Sequence, residues 1–346
     1  MPCSCNLNLY CYNKGMNFTI NQLNSPFDDS AFFVRNIYRR NAFLFDCGRL
    51  GGLTHSDILS LGDIFVSHTH MDHFVGFDRI LRGALKADTE LRLFGPPGFI
   101  NNVAGKFRGY TWNIIGDYTF AVSAMELCPE GDKCKIGYFA AKNSFAPLLS
   151  EISLTGKVNL GEGFTLSYDF FDHRTPSIGY RVDEPLQYNI NKEKLIELGY
   201  NGGPWVSEFK RALAAGERDR EITADNGGRA TVRTVGKLEE ELVFVRLPQS
   251  ITYITDIAPS PDNIEKAIKL ADRSTLLIIE AVFLDEDEEH AISKNHLTVN
   301  KAKKIFLQSN SEFVRFAHFA ARYEKDKSRF MSSLYDGLSG KIYKPE

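Results

Sequence analysis

No run of this chain is long and apolar enough to span a bilayer, which takes about 20 residues. Residues 1–15 carry neither a basic leader nor an apolar core, so they do not read as a secretory signal. Both absences lead to the expectation of a cytoplasmic protein without a membrane partner. Met16 offers an alternative start, because Asn17-Phe18-Thr19-Ile20 opens the first plausible strand. An excess of one charge is also missing: 41 Lys and Arg face 44 Asp and Glu, a net charge of −3, so the surface as a whole is not that of a nucleic-acid binder. A local basic patch remains compatible with that balance. No repeat, low-complexity tract or Pro/Ser-rich linker interrupts the 346 residues, whose 43% hydrophobic content is ample for one large or two ordinary domains.

The six cysteines lack the paired two-residue spacing of a zinc ribbon. Cys3, Cys5 and Cys11 lie in an irregular N-terminus (residues 1–16) and would need a fourth ligand to hold a metal. Cys47 ends the apolar run Phe43-Leu44-Phe45-Asp46 and reads as a small buried residue. Cys128 and Cys134 flank a turn and could approach each other, but reduced thiols are the expected state.

What the chain does have is His68-Thr69-His70-Met71-Asp72-His73, four potential metal ligands in six residues, in a sequence with only eight histidines. The segment follows the strand-like run Asp63-Ile64-Phe65-Val66-Ser67 and precedes a helical pattern with Phe74, Phe77, Ile80, Leu81, Ala84 and Leu85 on one face. A loop at a strand end lets closely spaced imidazoles converge, whereas a continuing strand would send alternate side chains to opposite faces. Two imidazoles on one side, with a carboxylate and an imidazole on the other, suit two adjacent divalent ions.

Strands alternate with helices along the rest of residues 17–346, which reads as layered α/β architecture in a single domain. One stretch, about 184–230, changes character. Helical patterns flank Gly199-Tyr200-Asn201-Gly202-Gly203-Pro204, and the charges are balanced, so the stretch reads equally as a solvated helical hairpin or a binding arm. Elsewhere, ligand-type residues recur where apolar strands stop: His173 after 164–171, Asp256 after 251–255 and His318 after 313–316. Open α/β sheets place their sites at such C-terminal strand ends. Any one of these imidazoles alone reads as a satisfied core or surface histidine, but seven ligand-type residues at four strand ends form a pattern. In it His68, His70 and His173 would hold one ion, Asp72, His73 and His318 the other, and Asp256 could bridge them. His55 and His290 fit no such pattern and read as surface residues. Glu280 sits within an apolar strand, where an unpaired carboxylate is costly. His296, just ahead of a helix, would accept orientation from it, although a buried Glu280 paired to a Lys or Arg reads as well.

These residues resemble the ribonuclease Z branch of the metallo-β-lactamase superfamily, the tRNA 3′-processing endonucleases. The likeness runs from about residue 40 to 325 and takes in the histidine loop, Leu44-Phe45-Asp46-Cys47-Gly48, and His173 with Gly179-Tyr180-Arg181. It continues through Thr255-Asp256, Glu280-Ala281-Val282-Phe283 with His296, and His318-Phe319 with Arg322-Tyr323. The resemblance implies a four-layer αββα sandwich with a protruding helical arm near Gly203-Pro204. It implies two zinc ions (manganese or iron being alternatives) on His68, His70, Asp72, His73, His173, Asp256 and His318. It also implies precursor tRNA as substrate, and a homodimer in which one arm serves the other subunit's site. Catalytic roles would fall to Asp72, which orients the nucleophile, and to His296 with Glu280, which assist phosphate binding and proton transfer. Some positions depart from the family. Arg49-Leu50-Gly51-Gly52 replaces a usual Glu-Gly-Thr-Gln, and Asp28-Asp29 stands in a loop that is usually basic. Ile257, Leu297, Ala317 and Ala320 replace hydroxyl residues around the motifs. No departure removes a ligand. The acidic loop leaves room for a hydrolase of small phosphodiesters or other esters. A non-catalytic RNA-binding relative is the third reading, and the intact ligand set opposes it.

Overall fold

A computed structural model describes residues 15–129, 133–154, 156–246 and 248–343; Cys3, Cys5 and Cys11 lie outside them. Two sheets carry the body. The first takes eight strands in chain order: β1 (Phe18–Gln22), β2 (Phe32–Asn36), β3 (Ala42–Phe45), β4 (Leu61–Phe65), β5 (Glu90–Gly95), β6 (Ala121–Glu126), β7 (Lys133–Ala140) and β8 (Leu148–Ser153). Its centre, β3 to β6, is parallel. The second sheet begins with β9 (Val158–Gly161), β10 (Phe164–Asp172) and β11 (Pro176–Asp183). The chain then leaves through β12 (Gln187–Ile190), β13 (Glu221–Asn226), β14 (Arg229–Thr234) and β15 (Val243–Arg246). It returns as β16 (Ser250–Ile254), β17 (Leu276–Glu280) and β18 (Phe313–Ala317), in the order β18-β17-β16-β11-β10-β9.

Strand alternation sorts the apolar side chains into layers. On β3, Phe43 and Phe45 face the core between the sheets, while Ala42 and Leu44 face an outer core. On β17, Leu276 and Ile278 point inward and Leu277 and Ile279 outward. The helices Phe77–Ala84 and Phe99–Arg108 bury Phe77, Ile80, Phe99, Val103 and Phe107 against the first sheet's outer face. The helices Pro261–Leu270, Val299–Gln308 and Lys327–Tyr335 cover the second sheet through Ala267, Ile305 and Phe330. The result is helix, sheet, sheet, helix. Local chemistry starts these helices where the sequence suggests. The Ser260 hydroxyl accepts from Asn263 N with Pro261 in the first turn, and Thr54 and Asp57 form a capping box for His55–Ser60.

Glu184–Pro248 is a compact unit of its own, distinct from Met16–Asp183 with Gln249–Glu346. It extends beyond the expected limit of about 230 because β12 pairs with β15. It is also more than a helical hairpin. Three helices (Lys192–Glu197, Pro204–Ala214 and Val235–Leu242) and the β13–β14 hairpin enclose Trp205, Phe209, Leu213, Ile222 and Leu238. Another difference lies at Cys128 and Cys134, which are joined in a disulfide rather than left as thiols. Their Cα atoms lie 5.3 Å apart, within bonding reach. Among the described residues, no helix is long and apolar enough to cross a membrane.

Candidate metal centre

The strand ends named above meet at one place between the sheets. At three of them a non-glycine residue takes the left-handed conformation: Asp46 after β3 (φ 53°), Asp256 after β16 (φ 52°) and His318 after β18 (φ 56°). Such a conformation is uncommon outside glycine and persists where its surroundings hold it. Those supports are visible. Asp46 accepts hydrogen bonds from Ser67 N (2.7 Å) and Ser67 Oγ (2.9 Å), and Asp256 N donates to Glu280 Oε2 at 2.8 Å. The histidine loop itself packs onto residues 47–48. Cys47 N donates to the His73 carbonyl at 2.9 Å and Gly76 N to the Cys47 carbonyl at 2.8 Å. A Cβ on Gly48 would collide with the Asp72 carbonyl, and one on Gly76 with the Gly48 carbonyl, so both positions need glycine for close backbone approach. Gly76 also divides the expected continuous helix into a single turn, Met71–Phe74, and the helix Phe77–Ala84.

Every sequence-nominated ligand lies here. Side-chain donor atoms of His68, His70 and His173 lie within 4.8 Å of one another, as do those of Asp72, His73 and His318. Asp256 reaches both groups, with Oδ2 2.7 Å from His73 Nε2 and Oδ1 3.6 Å from His173 Nε2. His296 completes the rim. Its Nδ1 is 3.0 Å from Glu280 Oε2 and 3.3 Å from Asp256 Oδ1, and its ring stands between those of His173 and His318. Among the described residues Glu280 is not paired to a Lys or Arg; it accepts from Leu297 N, Asp256 N and His296. His55 opens a surface helix, far from any such pattern in sequence. His290 is half-buried against Phe283 at 5.0 Å, so it is not simply a surface residue.

Residues without an assigned role in the sequence reading orient these rings. Asp46 Oδ2 lies 2.7 Å from His73 Nδ1, and the Asn295 carbonyl 2.9 Å from His173 Nδ1. Each acceptor calls for a proton on Nδ1 and leaves Nε2 to face the centre, the outer arrangement that metal-binding imidazoles commonly have. Asp46 carries a sequence signal, since it too ends an apolar strand. Asn295 carries none.

The electrostatics match a place that wants positive charge. Burial, then neighbouring imidazoles, push His68 down to about 3 despite Asp256. Burial also lowers His73 and His318, but the carboxylates outweigh it: Asp256 and Asp46 raise His73 well above the usual histidine value, and Asp256, Asp72 and Glu280 take His318 to about 10. Desolvation opposes ionisation of Asp72 and Asp256, yet the facing histidines hold both carboxyls below the usual range. Glu280 comes to about 2, with His296 outweighing its burial. Three buried imidazole nitrogens, His68 Nε2, His73 Nε2 and His318 Nδ1, have no hydrogen-bond partner. With Nδ1–H given to Asp46, His73 Nε2 presents a lone pair to a carboxylate oxygen 2.7 Å away. Two such acceptors repel unless a cation or proton lies between them. A donor set of imidazoles and carboxylates without thiolate fits zinc and similar divalent ions.

No protein-family model matches the chain. Curated relatives do. The chain is 26% identical to the Ribonuclease Z of Deinococcus radiodurans over 318 residues, covering 89% of this chain and 92% of that protein. It is likewise 26% identical to the Ribonuclease Z of Nanoarchaeum equitans over 305 residues, 86% of this chain and 81% of that one. In sequence the chain resembles the ribonuclease Z branch of the metallo-β-lactamase-fold proteins. Solved structures agree on the fold of this ribonuclease Z-like protein. Human tRNase Z, short form, superposes with a TM-score of 0.50 at 17% identity, covering 89% of this chain and 95% of that one. The metallo-β-lactamase fold protein YhfI from Bacillus subtilis gives 0.50 at 14% identity, with 95% and 96% covered.

Proposed function

We propose that the chain is a metal-dependent endoribonuclease that cuts precursor tRNA at its 3′ end, using two zinc ions. The observation that carries this reading is the meeting of seven imidazole and carboxylate side chains in two groups that share Asp256, beside the His296–Glu280 pair. In this reading His68, His70 and His173 would hold one ion and Asp72, His73 and His318 the other, with Asp256 available to both groups. Bound there, the ions would make hydroxide available at neutral pH and offset charge on the phosphoryl oxygens. Asp72, the half-exposed carboxylate of the set, orients the attacking water and accepts its proton. His296, fixed through Nδ1 by Glu280, keeps Nε2 for the departing oxygen. As the new P–O bond forms, the P–O3′ bond breaks and that oxygen takes a proton from His296. The products are a 3′-hydroxyl and a 5′-phosphate.

The unit Glu184–Pro248 serves as the tRNA-gripping arm in this proposal, the protein acts in the cytoplasm, and two copies associate as a homodimer. The competing reading, a hydrolase of small phosphodiesters or other esters, rests on the acidic loop. That loop is partly neutralised. Arg49 lies 3.7 Å from Asp28 and 3.8 Å from Asp29, and its backbone N–H donates to Asp29 at 3.1 Å. The single positive charge of Arg49 thus offsets part of the negative charge of Asp28 and Asp29.

The test combines metal analysis with cleavage of precursor tRNA and of a chromogenic phosphodiester, at matched enzyme concentration and stated salt, because phosphate contacts weaken steeply with salt. About two zinc ions per chain and a cut at the tRNA 3′ end are expected. Turnover of the small ester without any tRNA cleavage would overturn the RNA assignment.

A further inference from the structure

Two tyrosines with no part in the proposed chemistry are among the least exposed side chains of the body, Tyr180 at 0% and Tyr253 at 1%. They are directly paired neighbours on β11 and β16. A buried phenol has to find an acceptor, because an unmade hydrogen bond in the interior is costly. Both hydroxyls find theirs across the interface between the sheets. Tyr180 donates to the backbone carbonyls of Val66 (2.6 Å) and Phe94 (3.2 Å). Tyr253 donates to a side chain, Asp46 Oδ2, at 2.6 Å.

That difference matters because of what else Asp46 touches. The same Oδ2 lies 2.7 Å from His73 Nδ1, and His73 Nε2 lies 2.7 Å from Asp256 Oδ2. Asp256 follows directly from the strand that carries Tyr253. The contacts therefore close a loop: Tyr253 hydroxyl, Asp46, His73, Asp256, and back along the backbone to Tyr253. Both nitrogens of His73, which lies in the helical turn Met71–Phe74 that follows β4 of the first sheet, are held by groups tied to β16 of the second sheet. One tie is covalent and the other is the phenol's hydrogen bond. Packing alone would not require the hydroxyl, since the ring already sits among Phe32 and Phe45 at 5.8 and 5.3 Å, where a phenylalanine would pack equally well.

We infer that Tyr253 is a positioning residue for the metal centre: through Asp46, its hydroxyl fixes His73 relative to Asp256 across the two sheets. The inference rests on the reading of His73 and Asp256 as metal ligands. Outer partners of this kind commonly change metal affinity by about 10–100-fold. A charge-assisted bond to a carboxylate is also among the stronger hydrogen bonds available to a phenol.

The test compares Tyr253→Phe with Tyr180→Phe in the full chain, by zinc competition against a chromogenic chelator, by the absorption spectrum of the cobalt-substituted protein, and by thermal unfolding without metal. Tyr253→Phe should weaken zinc binding roughly 10-fold and alter the cobalt spectrum. Tyr180→Phe, whose hydroxyl touches only backbone, should lower the melting temperature with little change in affinity. If Tyr253→Phe binds zinc as the parent does, or if both variants weaken it alike, the inference fails. Asp46→Ala guards against a folding defect: once no side-chain acceptor stands at position 46, adding Tyr253→Phe should weaken zinc binding no further, and a fully additive loss would overturn the route through Asp46. A parent protein that binds no zinc, or a His73→Ala variant that binds it unchanged, would instead bring down the ligand reading and this inference with it.

Discussion

In the inserted unit the buried Glu239 carboxylate is met by Arg218 at 3.1 Å, a partner that is itself largely exposed. In the body, the buried carboxylates Asp46, Asp256 and Glu280 are met by imidazoles and by backbone amides. The first arrangement is a rim ion pair beside an apolar core of Trp205, Phe209 and Leu238. The second collects ionisable groups in the interior, where desolvation makes each of them costly unless every partner is in place. It also tolerates three left-handed non-glycine strand ends. The comparison separates a scaffold from a reactive site: one unit hides its carbon and shows its charge, while the other hides charge where it can act on a substrate.

Asp256→Ala is the change expected to break the body most severely. It removes the carboxylate that lies 2.7 Å from His73 and 3.6 Å from His173, one member of each proposed ligand group, so metal analysis should show zinc lost and cleavage of every substrate should vanish. Retention of zinc would mean the centre is held some other way. The matching operation on the inserted unit replaces residues 187–246 with a short Gly/Ser linker, which is sterically feasible because paired β12 and β15 place the ends about 5 Å apart. Precursor-tRNA cleavage should be lost while a chromogenic phosphodiester is still hydrolysed; equal loss on both would make the unit structural. His296→Ala should lower turnover by about 10²–10⁴-fold without reducing bound zinc. Within the inserted unit, Phe209→Ala should cost about 3–5 kcal/mol by leaving a cavity in a fully buried position, read as an earlier unfolding transition.

The smallest effect lies at the capping box of His55–Ser60. Thr54→Ala should cost about 1 kcal/mol at neutral pH. Burial alone would raise the Asp57 carboxyl, but its hydrogen bonds from Thr54 and Arg35 outweigh this and hold it below the usual aspartate range. A carboxyl lowered in the folded state stabilises above its unfolded value and loses that contribution as pH falls through the folded one. The gap between parent and variant in chemical denaturation should therefore narrow below about pH 4. A gap that widened on acidification would show that Asp57 is not the group stabilised.

Much of this was legible before any coordinates. Each candidate ligand lies at or just beyond the end of an apolar run of strand length, so the segments that form β4, β10, β16 and β18 mark both the layers and the places where polar side chains emerge. The apolar run Phe43-Leu44-Phe45 reads as a strand, but which of its side chains face inward comes only from the packing of the two sheets. Other features had no local signature. The Cys128–Cys134 bond depends on how β6 and β7 align, and the extent of the inserted unit depends on β12 finding β15. Asn295 meets His173 only because the helix Glu288–Lys294 ends beside it.

The order of residues by itself determined which side chains could serve as ligands and that they would stand at strand ends, because hydrophobic periodicity and the chemistry of His, Asp and Glu are local properties. Tertiary structure alone decided which nitrogen of each imidazole faces the centre and which hydroxyl crosses from one sheet to the other. Those outcomes depend on the separation and twist of two packed sheets, to within a few tenths of an ångström, and no stretch of neighbouring residues encodes that distance.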